Sequence, residues 1–316
     1  MNVFIPFPIH ADALAWLRAN SRVRTITGDE PDAADWEKKA DAVILRSTKI
    51  SGDEIRRAAR LKVIGRHGVG IDVVDLDAAR EKGIKVLNAP FENTQSVAEL
   101  AVGFMLALAR RIPQAINHVR SGLWAEGRKA DGCTELFENT VGFVGFGRIA
   151  RKTATILKNG FSMKILAYAP RITDAAWNDL RDFVTPCKTL PELFASSSYV
   201  SIHVPKTKET INLIDANILA AAKKGMVLVN TSRGGIVDEQ ALYSALVNGT
   251  IRAAASDVFA KEPLDVDSPL LTLPNFIATP HYAGTTEDCL RRVSAAIARQ
   301  TVAALFDEED PAYRRL

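Results

Sequence analysis

Three side chains far apart along the chain, His281, Glu262 and Arg233, are of the types that hydride chemistry on a hydroxy acid requires. Oxidising a secondary alcohol needs a base for the hydroxyl proton as hydride leaves for a nicotinamide. The reverse reaction needs the same group protonated, and a histidine serves both near neutral pH. A carboxylate hydrogen-bonded to that histidine fixes its orientation and favours its protonated form. An arginine clamps a substrate carboxylate in a fork and polarises the adjacent carbonyl oxygen. Taken singly, each residue also fits an ordinary turn: His281 follows Thr279-Pro280, Glu262 precedes Pro263 and Arg233 precedes Gly234-Gly235. Together with His203 and Asp257 they lie within or just after successive predicted strand ends, where the ligands of an open α/β sheet gather.

The elements that must position them centre on Thr140-Val-Gly-Phe-Val-Gly-Phe-Gly-Arg-Ile-Ala150, an apolar strand running into Gly145 and Gly147 and then a helical pattern. Such a turn aims backbone N–H groups and a helix N-terminus at one spot, where a pyrophosphate sits with no side chain in the way. The third small position of the G-x-G-x-x-G pattern is Ala150, small enough for close packing of helix on strand. Gly160 is expected to close the helix and Met163 to Tyr168 to form the next strand. About 20 residues past the glycines, the position that faces the adenosine ribose is Ala169, with Arg171 two residues on. Alanine neither holds a 2′-hydroxyl nor repels a 2′-phosphate, so NADP is admissible and modestly favoured over NAD. Arg171 reads almost as well as a surface arginine beside Pro170, and Arg148 equally as a phosphate-side cation or a solvated helix start. Beyond this point Tyr199 to Val204, Met226 to Asn230, Ala253 to Phe259 and Phe276 to Thr279 read as strands, with Asp238 to Asn248 helical among them. That alternation implies a parallel sheet covered on both faces.

The segments Asn230-Thr-Ser-Arg-Gly-Gly-Ile-Val-Asp-Glu239, Asp257-Val-Phe-Ala-Lys-Glu-Pro263 and Thr279-Pro-His-Tyr-Ala-Gly284 resemble three signature blocks of the D-2-hydroxyacid dehydrogenase family. Asn88-Ala-Pro-Phe-Glu-Asn-Thr-Gln-Ser-Val-Ala-Glu99 resembles a fourth. The resemblance implies that Arg233, Glu262 and His281 are the catalytic set and that Asp257 contacts the nicotinamide. It also implies that Arg148 and Ile149 approach the pyrophosphate and that Thr231 and Ser232 line the cofactor cleft. His203 and Val204, in Ser201-Ile-His-Val-Pro205, and Gly284 match cofactor-side positions, although without the family His203 reads as a satisfied core histidine. Val69 and Gly70, in Arg66-His-Gly-Val-Gly-Ile-Asp72, correspond to a loop whose backbone amides receive the substrate carboxylate. Arg46 and Arg66 match substrate-side positions of the 3-phosphoglycerate dehydrogenase branch, where a phosphate needs cations at the end opposite the carboxylate. Related glyoxylate or hydroxypyruvate reductases share this loop pattern. The implied function is an NAD(P)-dependent oxidoreductase interconverting a short D-2-hydroxy acid and its 2-keto acid. The alternative is an NAD(H)-sensing binding protein on the same fold, like the corepressors that resemble the family; the complete arginine, glutamate and histidine set favours the enzyme. Ala169 stands where NAD-preferring relatives carry aspartate. Ile112 to Asn139, with Trp124 and Leu136, corresponds to the part of these enzymes that embraces a second subunit, so a homodimer is expected. Ending at Leu316, the chain is expected to lack the C-terminal regulatory domain of longer relatives.

The domain plan follows the same pattern. Strands expected at Val3 to Pro6, Ala42 to Arg46 and Lys62 to Arg66 give the residues before the glycine turn a core of their own. An apolar helix pattern runs from Thr94 through Leu108, with Ser96 and Glu99 spaced as a capping box, and another from about Glu287 to Phe306 crosses back. The expected architecture is α/β with two doubly wound parallel-sheet domains: a Rossmann cofactor domain at 98–286 inserted in a flavodoxin-like substrate domain at 1–97 and 287–316. The site is then expected in the cleft between them, where closure excludes water from the hydride path.

Composition agrees with two ordinary domains: 316 residues, 47% of them hydrophobic. A net charge of +3 is too small to argue for nucleic acid, and Arg56, Arg57 and Arg60 read as a solvated helix face. Cys133, Cys187 and Cys289 have no metal-ligand spacing, and their odd, dispersed set suits a reducing compartment. The N-terminal Met1-Asn-Val-Phe-Ile-Pro-Phe-Pro reads as a first strand rather than a signal peptide, and the apolar stretch Ala101 to Ala109 is too short to span a bilayer. No metal and no membrane are expected, and the cytoplasm is the expected location.

Overall fold

The computed structural model describes residues 1–46, 48–129, 132–308 and 310; residues 309 and 311–316, the end of the expected substrate domain, lie outside the described residues. The chain divides into two compact units, Met1–Asn93 with Gly284–Leu316, and Thr94–Ala283. These divisions fall a few residues before the boundaries expected from the sequence. Helix Thr94–Ala109 is continuous from its first residue and belongs wholly to the second unit.

In the first unit, β1 (Asn2–Ile5), β2 (Arg24–Thr27), β3 (Ala42–Leu45), β4 (Val63–Arg66) and β5 (Lys85–Asn88) form a five-stranded sheet in the order β2-β1-β3-β4-β5, every pairing parallel. This is the flavodoxin-like order of a doubly wound sheet. Alternate residues feed opposite faces, as the two-residue period of a strand requires. Phe4, Val43, Leu45 and Ile64 join one apolar cluster, with Ile55 and Ala78 from helices Gly52–Arg57 and Leu76–Glu81. Val3, Ile5, Ile44 and Val63 join the other, with Leu17 and Ile297 from helices Ala11–Ala19 and Glu287–Leu305.

The second unit holds β6 (Thr140–Val144), β7 (Lys164–Tyr168), β8 (Thr185–Pro186), β9 (Tyr199–Ile202), β10 (Val227–Asn230), β11 (Ala253–Ser256) and β12 (Phe276–Ala278). Their order is β12-β11-β10-β9-β6-β7-β8, again all parallel, with β6 between β7 and β9 at the point where the winding reverses. Phe143, Val229 and Ala255 face a cluster covered by helices Thr94–Ala109 and Arg148–Phe161. Val144, Leu228 and Ala254 face another, covered by Leu190–Ser196, Ala216–Ala220 and Glu239–Val247. The expected α/β architecture of two doubly wound parallel sheets is therefore the one observed.

Local details differ from the sequence reading. Ser96 is buried inside helix Thr94–Ala109 and is not its N-cap, so the expected capping box does not form and Glu99 accepts from Gln95 instead. Gly160 lies within helix Arg148–Phe161, which ends at Ser162 in the left-handed conformation, φ 53°. β9 and β11 stop before Val204 and Phe259, leaving His203 and Asp257 on the loops that follow. Arg56, Arg57 and Arg60 are exposed as expected, although Arg60 lies beyond helix Gly52–Arg57, and they reach Glu81, Glu37 and Asp41. No helix among the described residues is long and apolar enough to cross a membrane.

Candidate active site

Parallel strands put their C-terminal loops on one edge of a sheet, and the loops after β10, β11 and β12 carry Arg233, Glu262 and His281. After β10, the Asn230 side chain folds the loop: its Oδ1 accepts from the backbone N–H of Ser232 (3.0 Å) and from the Ser232 hydroxyl (2.8 Å), and its Nδ2 donates to the Arg233 carbonyl (3.2 Å). The Arg233 guanidinium donates to the Ser232 carbonyl at 2.8 Å. Gly234 must lack a side chain, because a Cβ there would collide with the carbonyl of Phe259 on the neighbouring loop.

After β11, Glu262 Oε1 accepts from the N–H of Phe259 at 2.9 Å, which turns the carboxylate back on its own loop. Its other oxygen, Oε2, meets His281 Nδ1 at 2.7 Å. The side chains are 36% and 47% exposed, so the pair faces solvent on the loop rim. His281 itself has φ 52°, in the left-handed region unusual for a residue with a Cβ. What holds it there is Asp257, which is 0% exposed. Its Oδ1 accepts from the Thr279 hydroxyl (2.5 Å) and the Tyr282 N–H (3.0 Å), and its Oδ2 from the Ala283 N–H (2.9 Å). Both oxygens of Asp257 are thus given to the turn around His281, a role that its position in the sequence did not suggest.

The glycine turn has the form expected of an anion cradle. Gly145 adopts φ +86°, and a Cβ on it would press on the His203 carbonyl at 2.7 Å, so the turn packs directly against the end of β9. A Cβ at Gly147 would meet no atom within 4 Å, and this glycine, the N-cap of helix Arg148–Phe161, brings no capping side chain to the helix start. Arg148 is exposed and Ile149 half-buried at this start. Thr231 Oγ1 is buried with no hydrogen-bond partner among the described residues, as a ligand-facing hydroxyl would be. These residues fit a dinucleotide. Ala169 is buried in the apolar cluster beside the sheet, whereas Arg171 is exposed. The carboxyl of Glu209 is held below its ordinary value chiefly by the Thr207 hydroxyl, with Arg171 adding to the effect. His203 shares a 2.8 Å hydrogen bond with the Ser201 hydroxyl, and its ring lies 5.6 Å from that of Phe143. Burial pushes its pKa down to about 3. Val204 follows it, half-buried.

In the first unit, Arg46 follows the end of β3 and Arg66 is the last residue of β4, the register pairing Leu45 with Arg66. Arg46 donates to the Pro8 carbonyl at 3.3 Å and Arg66 to the His67 carbonyl. The loop bearing Val69 and Gly70 is tied from β5: the Asn88 amide donates to the Val69 carbonyl at 2.8 Å, and the Ala89 N–H to the Gly68 carbonyl at 2.9 Å. His67 is buried, with Nε2 2.7 Å from the Ser294 hydroxyl, and burial, with Arg46 and Arg66 nearby, lowers its pKa to about 4. Gly284 falls in this unit. Asn88 and His67 carry structural work in this loop that the sequence reading did not single out. Among the described residues, no cluster of three or more His, Cys, Asp or Glu could hold a metal ion.

Residues 102–283 match the family model described as D-isomer specific 2-hydroxyacid dehydrogenase, NAD binding domain. The chain is 40% identical over 310 residues to a D-3-phosphoglycerate dehydrogenase of Methanocaldococcus jannaschii, covering 98% of this chain and 58% of that protein. It is 41% identical over 258 residues to a hydroxypyruvate reductase of Thermotoga maritima, covering 81% of each. The crystal structure of the TT0316 protein from Thermus thermophilus superposes with a TM-score of 0.86 at 32% identity, covering 98% of this chain and 99% of that one. The chain thus spans less than two thirds of the length of the phosphoglycerate dehydrogenases it matches.

His203 yields a prediction. A histidine whose pKa falls to about 3 on folding stays neutral while the unfolded chain, near 6.5, takes up a proton, so stability is present above that value and lost as pH falls. Between pH 7 and pH 5 His203 should cost the fold up to about 2 kcal/mol. Urea denaturation of His203→Asn should show a correspondingly shallower pH slope; an unchanged slope would mean that the imidazole is not held neutral.

Proposed function

The chain belongs to the D-isomer specific 2-hydroxyacid dehydrogenase family, and from that premise we propose that it interconverts a short D-2-hydroxy acid and its 2-keto acid with a nicotinamide dinucleotide. The observation that carries this reading is the 2.7 Å contact between His281 Nδ1 and Glu262 Oε2. With Nδ1 committed to the carboxylate, Nε2 is the nitrogen left to exchange a proton with the substrate oxygen. In reduction the protonated His281 gives its Nε2 proton to the keto oxygen while Glu262 holds Nδ1; in oxidation the neutral ring takes the hydroxyl proton. Arg233 forks the substrate carboxylate and polarises the carbonyl. A bound nicotinamide accepts or supplies the hydride. Gly145, Gly147, Arg148 and Ile149 are assigned to its pyrophosphate, and His203, Val204, Thr231, Ser232 and Gly284 to the rest of the cofactor side; Asp257, with both oxygens given to the turn around His281, is assigned instead to holding that turn. Arg46, Arg66, Val69 and Gly70 are assigned to the substrate, for which 3-phosphoglycerate, glyoxylate and hydroxypyruvate are the candidates. The D-3-phosphoglycerate dehydrogenase and hydroxypyruvate reductase among the relatives support two of these three.

A spectrophotometric screen of glyoxylate, hydroxypyruvate, pyruvate and 3-phosphohydroxypyruvate with NADH and NADPH should find turnover, and His281→Ala should lower kcat by ~10²- to 10⁴-fold with cofactor affinity nearly intact. Tight cofactor binding without turnover of any of them would favour a sensor instead. We further propose NADP over NAD, because Ala169 offers no carboxylate to repel a 2′-phosphate and Arg171 is exposed to meet one. Arg171→Ala should then weaken NADPH by roughly ten-fold while sparing NADH, the loss of one charge-assisted contact; equal losses would remove the preference. Finally, Ile112, Ile116, Val119, Leu123 and Trp124 expose apolar side chains along helix Ile112–Arg120 and the turn after it, none of that helix's residues being buried. A second copy of the chain is the proposed cover. Light scattering should give the mass of a dimer, and a monomer at micromolar concentration would end that proposal.

A further inference from the structure

Glu239 opens helix Glu239–Val247, and Asp238 before it is already the N-cap, accepting from the Ala241 N–H at 2.9 Å. A carboxylate in the first helical turn ordinarily serves its own helix. Glu239 instead reaches across to the loop after β11, where its Oε1 accepts the Ala260 N–H at 2.6 Å.

That N–H belongs to the Phe259–Ala260 peptide, which lies between two parts of the proposed site. Its Phe259 carbonyl is the one that presses on Gly234, next to Arg233. The N–H of Phe259 itself holds Glu262 Oε1 at 2.9 Å, leaving Oε2 for His281 at 2.7 Å. Consecutive backbone N–H groups are therefore divided between two carboxylates, Phe259 to Glu262 and Ala260 to Glu239. The Phe259 N–H lies in the preceding peptide, Val258–Phe259, which joins the anchored Phe259–Ala260 peptide at the Phe259 Cα; a shift of the loop that carries this Cα displaces the donor to Glu262 Oε1, and the carboxylate then loses its fixed face toward the imidazole.

We propose that Glu239 is a positioning residue for the proton-transfer pair: by anchoring the Ala260 N–H it holds the Phe259–Ala260 peptide where Glu262 can grip His281 and where the Arg233 loop can close against it. Glu239 touches neither substrate nor cofactor in this role. The inference rests on the proposed dehydrogenase reading only for its consequence in turnover; the positioning itself is a property of the protein without ligands.

The test separates the two. In ligand-free protein, the Nδ1 proton of His281, hydrogen-bonded to a carboxylate, should give a downfield proton resonance, assigned by its loss in His281→Ala. Glu239→Ala should broaden or abolish that resonance, whereas Glu239→Gln, whose amide oxygen still accepts from Ala260, should keep it. In the keto-acid assay Glu239→Ala should lower kcat by roughly ten-fold through misplacement of the pair and move the alkaline limit of reduction to lower pH, with the KM for cofactor unchanged; Glu239→Gln should restore the limit. A resonance and a pH limit both unaffected in Glu239→Ala, or lost equally in Glu239→Gln, would overturn the inference. Should Glu239→Ala fail to fold, Glu239→Asp keeps the charge at the helix start but falls short of Ala260, and is read by the same two outcomes. Absence of turnover in the wild type would instead end the dehydrogenase reading and leave the resonance test intact.

Discussion

A carboxylate with no exposed surface decides where the imidazole of this site stands. Burying Asp257 at 0% exposure is costly unless each oxygen is satisfied, and the donors that satisfy it are the Thr279 hydroxyl and the N–H groups of Tyr282 and Ala283. Those donors flank His281, whose left-handed backbone costs on the order of 1 kcal/mol for a residue with a Cβ. The hydrogen bonds to a charged acceptor outweigh that cost, at about 1.5–3 kcal/mol each. The turn therefore keeps one shape, and His281 is aimed before any ligand arrives.

The sheet makes such bracing possible. β10, β11 and β12 are neighbours in parallel register, so the loops that leave their C-terminal ends are neighbours too. Asp257 leaves β11 and braces the loop after β12; Glu239, beyond the loop after β10, braces the loop after β11; Gly234 allows the first two loops to touch. Each brace runs from one strand's connection to the next. A deletion in any one of these loops would be felt by all three.

Much of this was readable in the chain, and the reasons for the rest are physical. The central strands announce themselves because both faces are buried: β3, β9, β10 and β11 are mostly apolar, and each is buried at every position, Ser201, Asn230 and Ser256 included. β2, β5 and β8 lie at sheet edges with exposed residues such as Arg24 and Lys85, and nothing in their composition separates them from loops. Arg233, Glu262 and His281 could be picked out because their residue types and strand-end places are rare together. The bracing residues could not. Glu239 looks like any acidic helix start, and Asn88 like any polar residue ahead of a proline, until their partners are seen to be backbone groups of another loop. Asp257 was legible as a site residue, but whether its oxygens face outward to a ligand or inward to a turn is a matter of rotamer and burial, which spacing does not encode.

The exposure of the Glu262–His281 pair explains why so much framework surrounds it. An ion pair at 36% and 47% exposure is worth about 0–1 kcal/mol, too little to hold two flexible side chains in one geometry. Its 2.7 Å contact must therefore be imposed from outside, by Phe259 on one partner and by the Asp257-braced turn on the other. Solvent access has a use as well. An imidazole open to water exchanges protons freely with solvent, so it can be reset between turnovers, whereas His203, with its pKa pushed down to about 3 by burial, cannot cycle near neutral pH. The two histidines lie at the ends of β9 and β12 in the same sheet, and their surroundings divide the work: one is kept neutral as part of the wall, the other kept wet, aimed and paired. Solvent access lowers the strength of electrostatics at the pair, and a ligand that excludes solvent there would strengthen the same contact.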